Sequence, residues 1–555
     1  MKIKFTELLL VPFLIFVFIA LQINSIFSES RVYDENLHID AGYTFLTKKD
    51  FRAEPFNPPL ARELIAVPLL FNPDIKGDPI LFWPRITTVL FSVFLAVLVY
   101  FFAKKAFGLK AGIFALVLYI FEPNILAHGH YATTDLILSF FIFLTIFLSW
   151  IWREKLNLVR IIIISSIVGL SLSVKFSALP FLSFSILGMF LIEKKKNIGQ
   201  LLKFGYWKKR IKFVFAAAFF LSISLWSTYF FTVEPILGLR FDSNRETMKL
   251  AKNNPIINFA LNQSVPLGSY ISTIKQMGLY NYSDKFKKDA FLFGQFSDHG
   301  FAYYFPAAFI VKTPIPLLVL FIIGIANALR SFHIQKGLFT NSPRTSSLSS
   351  STMAANAKLV SMYLLIPIAV VFLFMSFSQV NLGLRYVLPA FPFIIVFSSQ
   401  IINLCQISKL RYLLISALLI WYIFGTIKTS PHFISYFNEL VGGSQNGYKY
   451  LIDSNYDWGQ GLIALKEYQD KNNIKSLELA YFGSISPQKY GIKYDRLEDK
   501  NLGEDKHTIS VAGKESRVIA ISATCWYYCG YYKTDEFKDL MPVDIVGGSI
   551  LIFKK

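Results

Sequence analysis

Cysteine is almost absent, three residues in a chain of 555, which excludes a disulfide framework as the origin of the fold. Cys525 and Cys529 stand four residues apart, a spacing that bridges only in particular backbone geometries, so they read as packing residues unless an oxidising exterior joins them. Charge is scarce too: 17% of residues are Asp, Glu, Lys or Arg, against roughly a quarter in soluble domains. No internal repeat is visible, which counts against transporters built from inverted halves. An acid-rich stretch near the C-terminal end lacks the Gly and distal Glu of an EF-hand, so a calcium loop is discounted.

What fills the chain instead is apolar: 54% of residues are hydrophobic, 56 of them Phe, for a mean hydropathy of +0.46. Such a composition indicates a multispanning membrane protein, since apolar runs of roughly 17 to 25 residues cross the bilayer as helices that satisfy their own backbone. About eleven such runs are expected, near 6–27, 86–103, 111–127, 135–152, 158–174, 176–192, 211–233, 304–328, 359–377, 386–404 and 412–428. Only Lys175 and Pro180 divide the fifth from the sixth, and charge placement favours two separate spans. The first run, behind MKIK, also fits a cleaved signal peptide, but it is longer than the usual apolar region and no small-residue cleavage site follows.

Placing the N-terminus in the cytoplasm puts Lys2 and Lys4, Lys104, Lys105 and Lys110, Arg153 to Arg160, Lys194 to Lys212, Arg330 to Lys358, and Lys409 with Arg411 all inside. Residues 28–85, 234–303 and everything after 429 then face outward, with 329–358 a cytoplasmic loop. The formal charge of +20 is thus an orientation signal, and its densest clusters suit anionic lipid headgroups rather than nucleic acid. Two domains are expected: a membrane domain over 1–429 and a small extracytoplasmic mixed α/β domain over 430–555, where Ser476–Phe482 and Arg517–Ile521 alternate like strands. The Ser-rich segment 341–352 reads as a flexible loop.

The chemistry gathers outside. Asp34 and Glu35 follow the first span in RVYDENLHIDAGYTFL, an amphipathic helix with Asp34, His38 and Ala41 or Gly42 on one side. Pro58 and Pro59 then start a second helix carrying Arg62 and Glu63. The adjacent acids could instead simply favour the start of the loop helix. Asp135, behind Thr133 and Thr134, opens a span and reads equally as a helix start. His128 and His130 could join these acids around a divalent metal, a pattern of low specificity. Lys312, Arg385 and Lys175 are cations that could grip phosphate or merely snorkel to headgroups. Asp453, Asn455, Asp457, Trp458 and Gln460 combine polar groups with an aromatic face, as sugar-binding surfaces do; the alternative is a turn that docks the C-terminal domain.

Together Asp34-Glu35, the Pro-Pro-Leu segment, AHGHYATTD at 127–135, GLSLSVKFSALP at 169–180, YYFPAAFIVKTPIP at 303–316, NLGLRYVLPAFPF at 381–393 and YFNELVGGSQNGYKYLIDSNYDWGQGL at 436–462 resemble the bacterial relatives of protein O-mannosyltransferases. These are membrane glycosyltransferases of the GT-C fold, which includes the aminoarabinose transferase of lipid A. The resemblance covers roughly 30–180 and 300–495. It implies an integral protein of a bacterial cytoplasmic membrane that moves a sugar, with inversion, from a polyprenyl-phosphate donor to a protein, lipid or glycan hydroxyl on the outer face. Asp34 matches the family's first acid and is the expected base, with Glu35 in support or in its place. Lys312 and Arg385 match its basic positions and would hold phosphate; Asp135, with His128 and His38, would form a second acidic or polar site. No cofactor is required; a divalent metal stays open but is weakened, because Phe56-Asn57 stands where many relatives carry an acid and a His. The alternatives are a secondary transporter or flippase, which should place ionisable groups mid-membrane, and a glycan-binding scaffold indifferent to Asp34→Asn.

Overall fold

The computed structural model describes residues 5–52, 54, 56–194, 208, 210–236, 254–255, 259, 262–282, 290–338, 348–497 and 517–554. Every expected apolar run lies on helix. Among the described residues, six helices are long and apolar enough to cross a bilayer: Glu7–Ser28 within α1 (Phe5–Ser28), then Phe82–Phe107, Asp135–Trp152, Lys358–Ser376, Leu384–Asn403 and Lys409–Thr429. Three shorter apolar helices are Leu158–Leu172, Ala178–Glu193 and Ile211–Ser227. Two further runs are bent pairs. Leu109–Ile120 and Pro123–His130 meet at 62°, and Tyr304–Lys312 and Ile315–Arg330 at 115°. Both breaks coincide with proline, which cannot donate the backbone bond that would carry a helix through. The run expected at 386–404 is a 3-10 turn, Leu384–Ala390, then the helix Phe391–Ser399, then a second 3-10 turn; Pro389 and Pro392 again deny regular bonding.

The stretch around Lys175 is a genuine break: helix Leu158–Leu172 ends, residues 173–177 turn, and Ala178–Lys194 begins. Of the Ser-rich segment, residues 341–347 lie outside the described residues, as do 195–207 of the basic stretch. Residues 348–352 are helical, the start of Leu348–Ser376, rather than the loop their composition suggested, because the helix extends beyond its apolar portion.

The first loop holds α2 (Glu35–Lys48) and α3 (Leu60–Ala66), with Pro59 leading into α3. They pack closely because Gly42 has no side chain: a Cβ there would stand 2.1 Å from the carbonyl oxygen of Arg62. His38 lies one turn before Gly42 on the same face and is thereby brought against α3.

Beyond the last long helix, five strands form a mixed sheet in the order Tyr494–Arg496, Leu477–Ala480, Val518–Ser522, Ile550–Lys554, Asp544–Val546. The first three run parallel and the last two pair antiparallel. Period-two alternation covers both faces. Ala520, Ile550 and Ile552 pack with Leu462 and Leu465 of the helix Leu462–Lys471, whereas Ile519, Ile521, Leu551 and Phe553 join the core shared with the helices. Cys525 and Cys529 are joined by a disulfide, not merely packed: both sit on the short helical turn after the third strand in the pairing order, which brings their Cα atoms to 4.9 Å.

Gly42→Ala should drive a methyl into the α3 backbone, an overpacking cost of about 1–3 kcal/mol. The expected outcome is a lower melting temperature for the detergent-purified chain, read by tryptophan fluorescence.

Candidate active site

The site is built on a buried cation that the sequence reading passed over. Arg85, in the first turn of Phe82–Phe107, is 0% exposed and all five of its N–H bonds are used. Nε and Nη2 fork onto the two oxygens of Glu35 at 2.8 and 2.9 Å, while the remaining donors reach the carbonyls of Ile26, Glu29 and Ser30. Glu35 accepts in addition from the backbone N–H of Ala132 at 2.8 Å and of Val32 at 2.9 Å. Its carboxylate is therefore saturated and enclosed. The alternative of Glu35 as base is corrected by this: the carboxylate has neither solvent nor a free lone pair to take a proton.

The pair fixes the turn that presents Asp34. On the other side, Ser30 and Tyr33 donate backbone bonds to the carbonyls of Gln460 and Trp458 at 3.0 and 2.9 Å. Asp34 precedes α2 but its carboxylate does not cap that helix. It accepts instead from Arg385 Nη1 at 2.8 Å and keeps 23% of its side-chain surface exposed. Arg385 Nη1 also lies 3.6 Å from Asp135 Oδ2, and Lys175 Nζ donates to Asp135 Oδ1 at 2.5 Å. So Asp135 serves neither solvent nor its own helix start: it holds two cations. Arg385 lies over the Trp458 ring at 4.3 Å and Lys175 over the Tyr386 ring at 4.4 Å. Among the described residues the Nε of Arg385 has no hydrogen-bond partner.

These groups form the polar end of a cavity of about 450 Å³. Asp34, His38, Asn57, Lys175, Arg385 and Tyr386 line that end; Phe176, Leu179, Ile274, Met277, Phe374 and Val380 line the rest. Burial pushes the Asp34 carboxyl up, but the charge of Arg385, with His38 and the Arg385 hydrogen bond, outweighs it and leaves Asp34 below the ordinary range. Burial, then the charge of Arg62, hold the His38 imidazole down to about 3, so it is neutral. Burial raises Asp453 to about 7 against the pull of Arg385.

Several expected residues are not in the cavity. Lys312 is 1% exposed and donates to the carbonyls of Ile434, Tyr436 and Asn455 at 2.8, 3.1 and 2.5 Å. All three of its protons are taken by backbone, so the expectation that it grips phosphate is corrected: it fastens the bent helix pair to the segment after the last span. Lys175, a weaker candidate from sequence, stands where Lys312 was expected. Asn455, Asp457, Trp458 and Gln460 are at most 1% exposed and bonded or packed within the chain. Asn455 binds the Leu384 N–H and the Tyr304 hydroxyl, Asp457 the Thr524 N–H, and Gln460 the Trp458 N–H. The block thus carries the docking role of the two readings, and its acceptor-binding role is corrected for these four; Asp453 is half-buried beside them with a left-handed φ of 57°. His128 is buried 6.1 Å from the Trp458 ring and does not line the cavity. His130 is held by Glu29 at 2.8 Å and the Leu126 carbonyl at 2.7 Å. Among the described residues no group of three or more His, Cys, Asp or Glu is arranged to hold a metal ion.

With this geometry in hand, comparison with known proteins is informative. Residues 75–229 match the family model described as dolichyl-phosphate-mannose-protein mannosyltransferase, a stretch that includes Asp135 and Lys175 but not Asp34 or Arg385. The protein O-mannosyltransferase complex of S. cerevisiae bound to its sugar donor superposes with a TM-score of 0.51 at 12% identity, over 78% of this chain and 90% of that one. The chain has the GT-C fold. Two other GT-C structures are similar over much of it: ArnT from Cupriavidus metallidurans bound to undecaprenyl phosphate (TM-score 0.49, 10% identity, 99% of this chain and 98% of that one) and the archaeal oligosaccharyltransferase AglB from Archaeoglobus fulgidus (TM-score 0.45, 12% identity, 77% and 56%). No curated protein sequence matches the chain. It is an integral membrane protein of GT-C type, similar to the mannosyltransferases.

Lys312→Met would leave three carbonyls without their donor, at about 1–3 kcal/mol for each that stays dry. The expected result is a marked loss of thermal stability in the same fluorescence scan.

Proposed function

We propose that the chain is an inverting glycosyltransferase that moves a sugar from a polyprenyl-phosphate donor to a hydroxyl on the outer face of the membrane. One observation carries the proposal: two cations, Arg385 and Lys175, and a partly exposed carboxylate, Asp34, meet at the polar end of an otherwise apolar cavity. A lipid-linked donor has the same division, an isoprenoid chain joined to a phosphate and a sugar. The family model and the fold support this chemistry, and the placement of basic loops supports an outward-facing Asp34.

In the proposed step the acceptor oxygen attacks the anomeric carbon, its proton passes to an Asp34 oxygen, and the bond from the anomeric carbon to the phosphate oxygen breaks. Polyprenyl phosphate leaves with the bonding electron pair. Arg385 supplies a planar fork, with its Nε still to be satisfied, and Lys175 a point charge for the phosphate oxygens. Arg385 is bound to Asp34 before donor arrives; a phosphate that draws on the same guanidinium would loosen that bond and make Asp34 a better base. Asp135 holds both cations in register. The step needs no cofactor, and Asp453, which feels the charge of Arg385, does not line the cavity.

The deciding experiment is acceptor-dependent release of free polyprenyl phosphate from a panel of polyprenyl-phosphate sugars by the chain in liposomes. Asp34→Asn should lower kcat by about 10²–10⁴-fold, and Arg385→Lys should raise KM for the donor. Donor turnover that survives Asp34→Asn would sink the assignment, and movement of labelled lipid without sugar transfer would favour a flippase. The pH profile has a definite sign. A carboxylate whose pKa is depressed stays charged as pH falls, so the acid limb of kcat/KM for Asp34 should lie below the ~3.9 of free aspartic acid.

A further inference from the structure

His38 is a cavity-lining residue that the proposed step leaves without a task. Its environment is nevertheless specific. Arg62 Nε donates to His38 Nδ1 at 3.1 Å, and Arg62 is itself held by an ion pair to the Glu54 carboxylate and by a bond from Nη1 to the Glu54 carbonyl at 3.1 Å. Arg62 is 0% exposed. A guanidinium N–H can only donate, so Nδ1 must be the unprotonated nitrogen and the imidazole proton must reside on Nε2. The close approach that permits this contact depends on Gly42, which lets the Arg62 backbone lie against α2 one turn beyond His38.

We infer that Arg62 is a positioning residue that locks His38 as the neutral Nε2–H tautomer, so that His38 presents a fixed hydrogen-bond donor to an oxygen of the transferred sugar. The inference rests on the glycosyltransferase reading and deepens it by dividing the polar end of the cavity between two ligands. Arg385 and Lys175 take the phosphate, where charge is needed. His38 takes an uncharged hydroxyl or ring oxygen, where a further cation beside Arg62 and Arg385 would only repel its neighbours. The charged groups facing His38 are Arg62 from α3, Asp34 at the head of its own helix, Arg385 from the 3-10 turn and Asp135 from Asp135–Trp152. Burial and the two guanidiniums outweigh the two carboxylates, in keeping with a ring that stays neutral.

Two measurements test this separately. The first is independent of activity: the imidazole ¹⁵N spectrum of the full chain in nanodiscs, where only seven histidines contribute and His38→Gln identifies the signal. The native chain should show the Nε2–H tautomer unchanged from pH about 7.5 to about 5, while Arg62→Met, with burial and Arg385 still in place, should stay neutral but show the Nδ1–H tautomer beside it. A native His38 that titrates in that range, or a proton on Nδ1, overturns the inference. The second is kcat/KM for sugar transfer. Gln places its amide N–H near the position of Nε2 and Asn does not, so His38→Gln should stay close to native and His38→Asn should lose about tenfold, the worth of one hydrogen bond. In Arg62→Met kcat/KM should fall, because the donor is no longer fixed, and should recover when His38→Gln is added. Equal losses in the two His38 variants, or no recovery in the double variant, overturn the sugar contact. Should Arg62→Met fail to fold, the two His38 variants still decide. A native spectrum as expected from a chain that transfers no sugar in the whole panel would sink the transferase reading and the sugar contact with it, while leaving the Arg62–His38 lock standing.

Discussion

The buried ion pair of Arg85 with Glu35 is the constraint on which the rest of the site depends. Two charges enclosed in a membrane protein are expensive unless every lone pair and proton is matched. Here they are matched: the guanidinium spends all five N–H bonds, and the carboxylate accepts four. Because three of the Arg85 bonds fall on the carbonyls of residues 26, 29 and 30, the pair also dictates how the chain leaves the first long helix. The acid next in line, Asp34, is then obliged to face the cavity. Adjacent acids in sequence become an anchor and a cavity-lining acid.

From that anchor the polar network spreads as alternating charges. Asp34, Arg385, Asp135 and Lys175 form a chain of contacts at 2.8, 3.6 and 2.5 Å, two cations alternating with two carboxylates, with no net charge before an anion arrives. Such a balance can be kept at the edge of a bilayer at tolerable desolvation cost. It also leaves the cations available to be re-partnered, since their present partners are side chains rather than backbone. Lys312 is the contrast: its three backbone carbonyls cannot be traded for a ligand without opening the fold.

The helices were legible because the bilayer imposes both length and apolarity, two properties that sequence displays directly. Asp34 and Arg385 were legible because the motifs around them are ordered along the chain in a recognisable way. Direction was not legible. Lys312 and Trp458 stand in motifs as suggestive as that of Arg385, yet one faces backbone and the other lies under the guanidinium. Nothing in residue type distinguishes a ring that stacks on sugar from one that supports an arginine. Arg85 did leave a signal, since an arginine at the head of an apolar run requires a partner, but Asp78, Asp74, Glu63 and Glu54 all lie nearer in sequence than Glu35, so the partner was not legible. The bond between Cys525 and Cys529 left none, because it depends on a single turn of helix whose placement belongs to the sheet beside it.

The seat of Asp34 has a consequence for biosynthesis. Residues 30–33 are held by backbone bonds to residues 458–460, more than 400 positions later in the chain. A nascent polypeptide could therefore have inserted its helices and assembled the cation pair while the carboxylate still lacked its final support. On the proposed reading, sugar transfer would be withheld until the late segment docks, so that maturation of the chain, rather than insertion alone, completes the site.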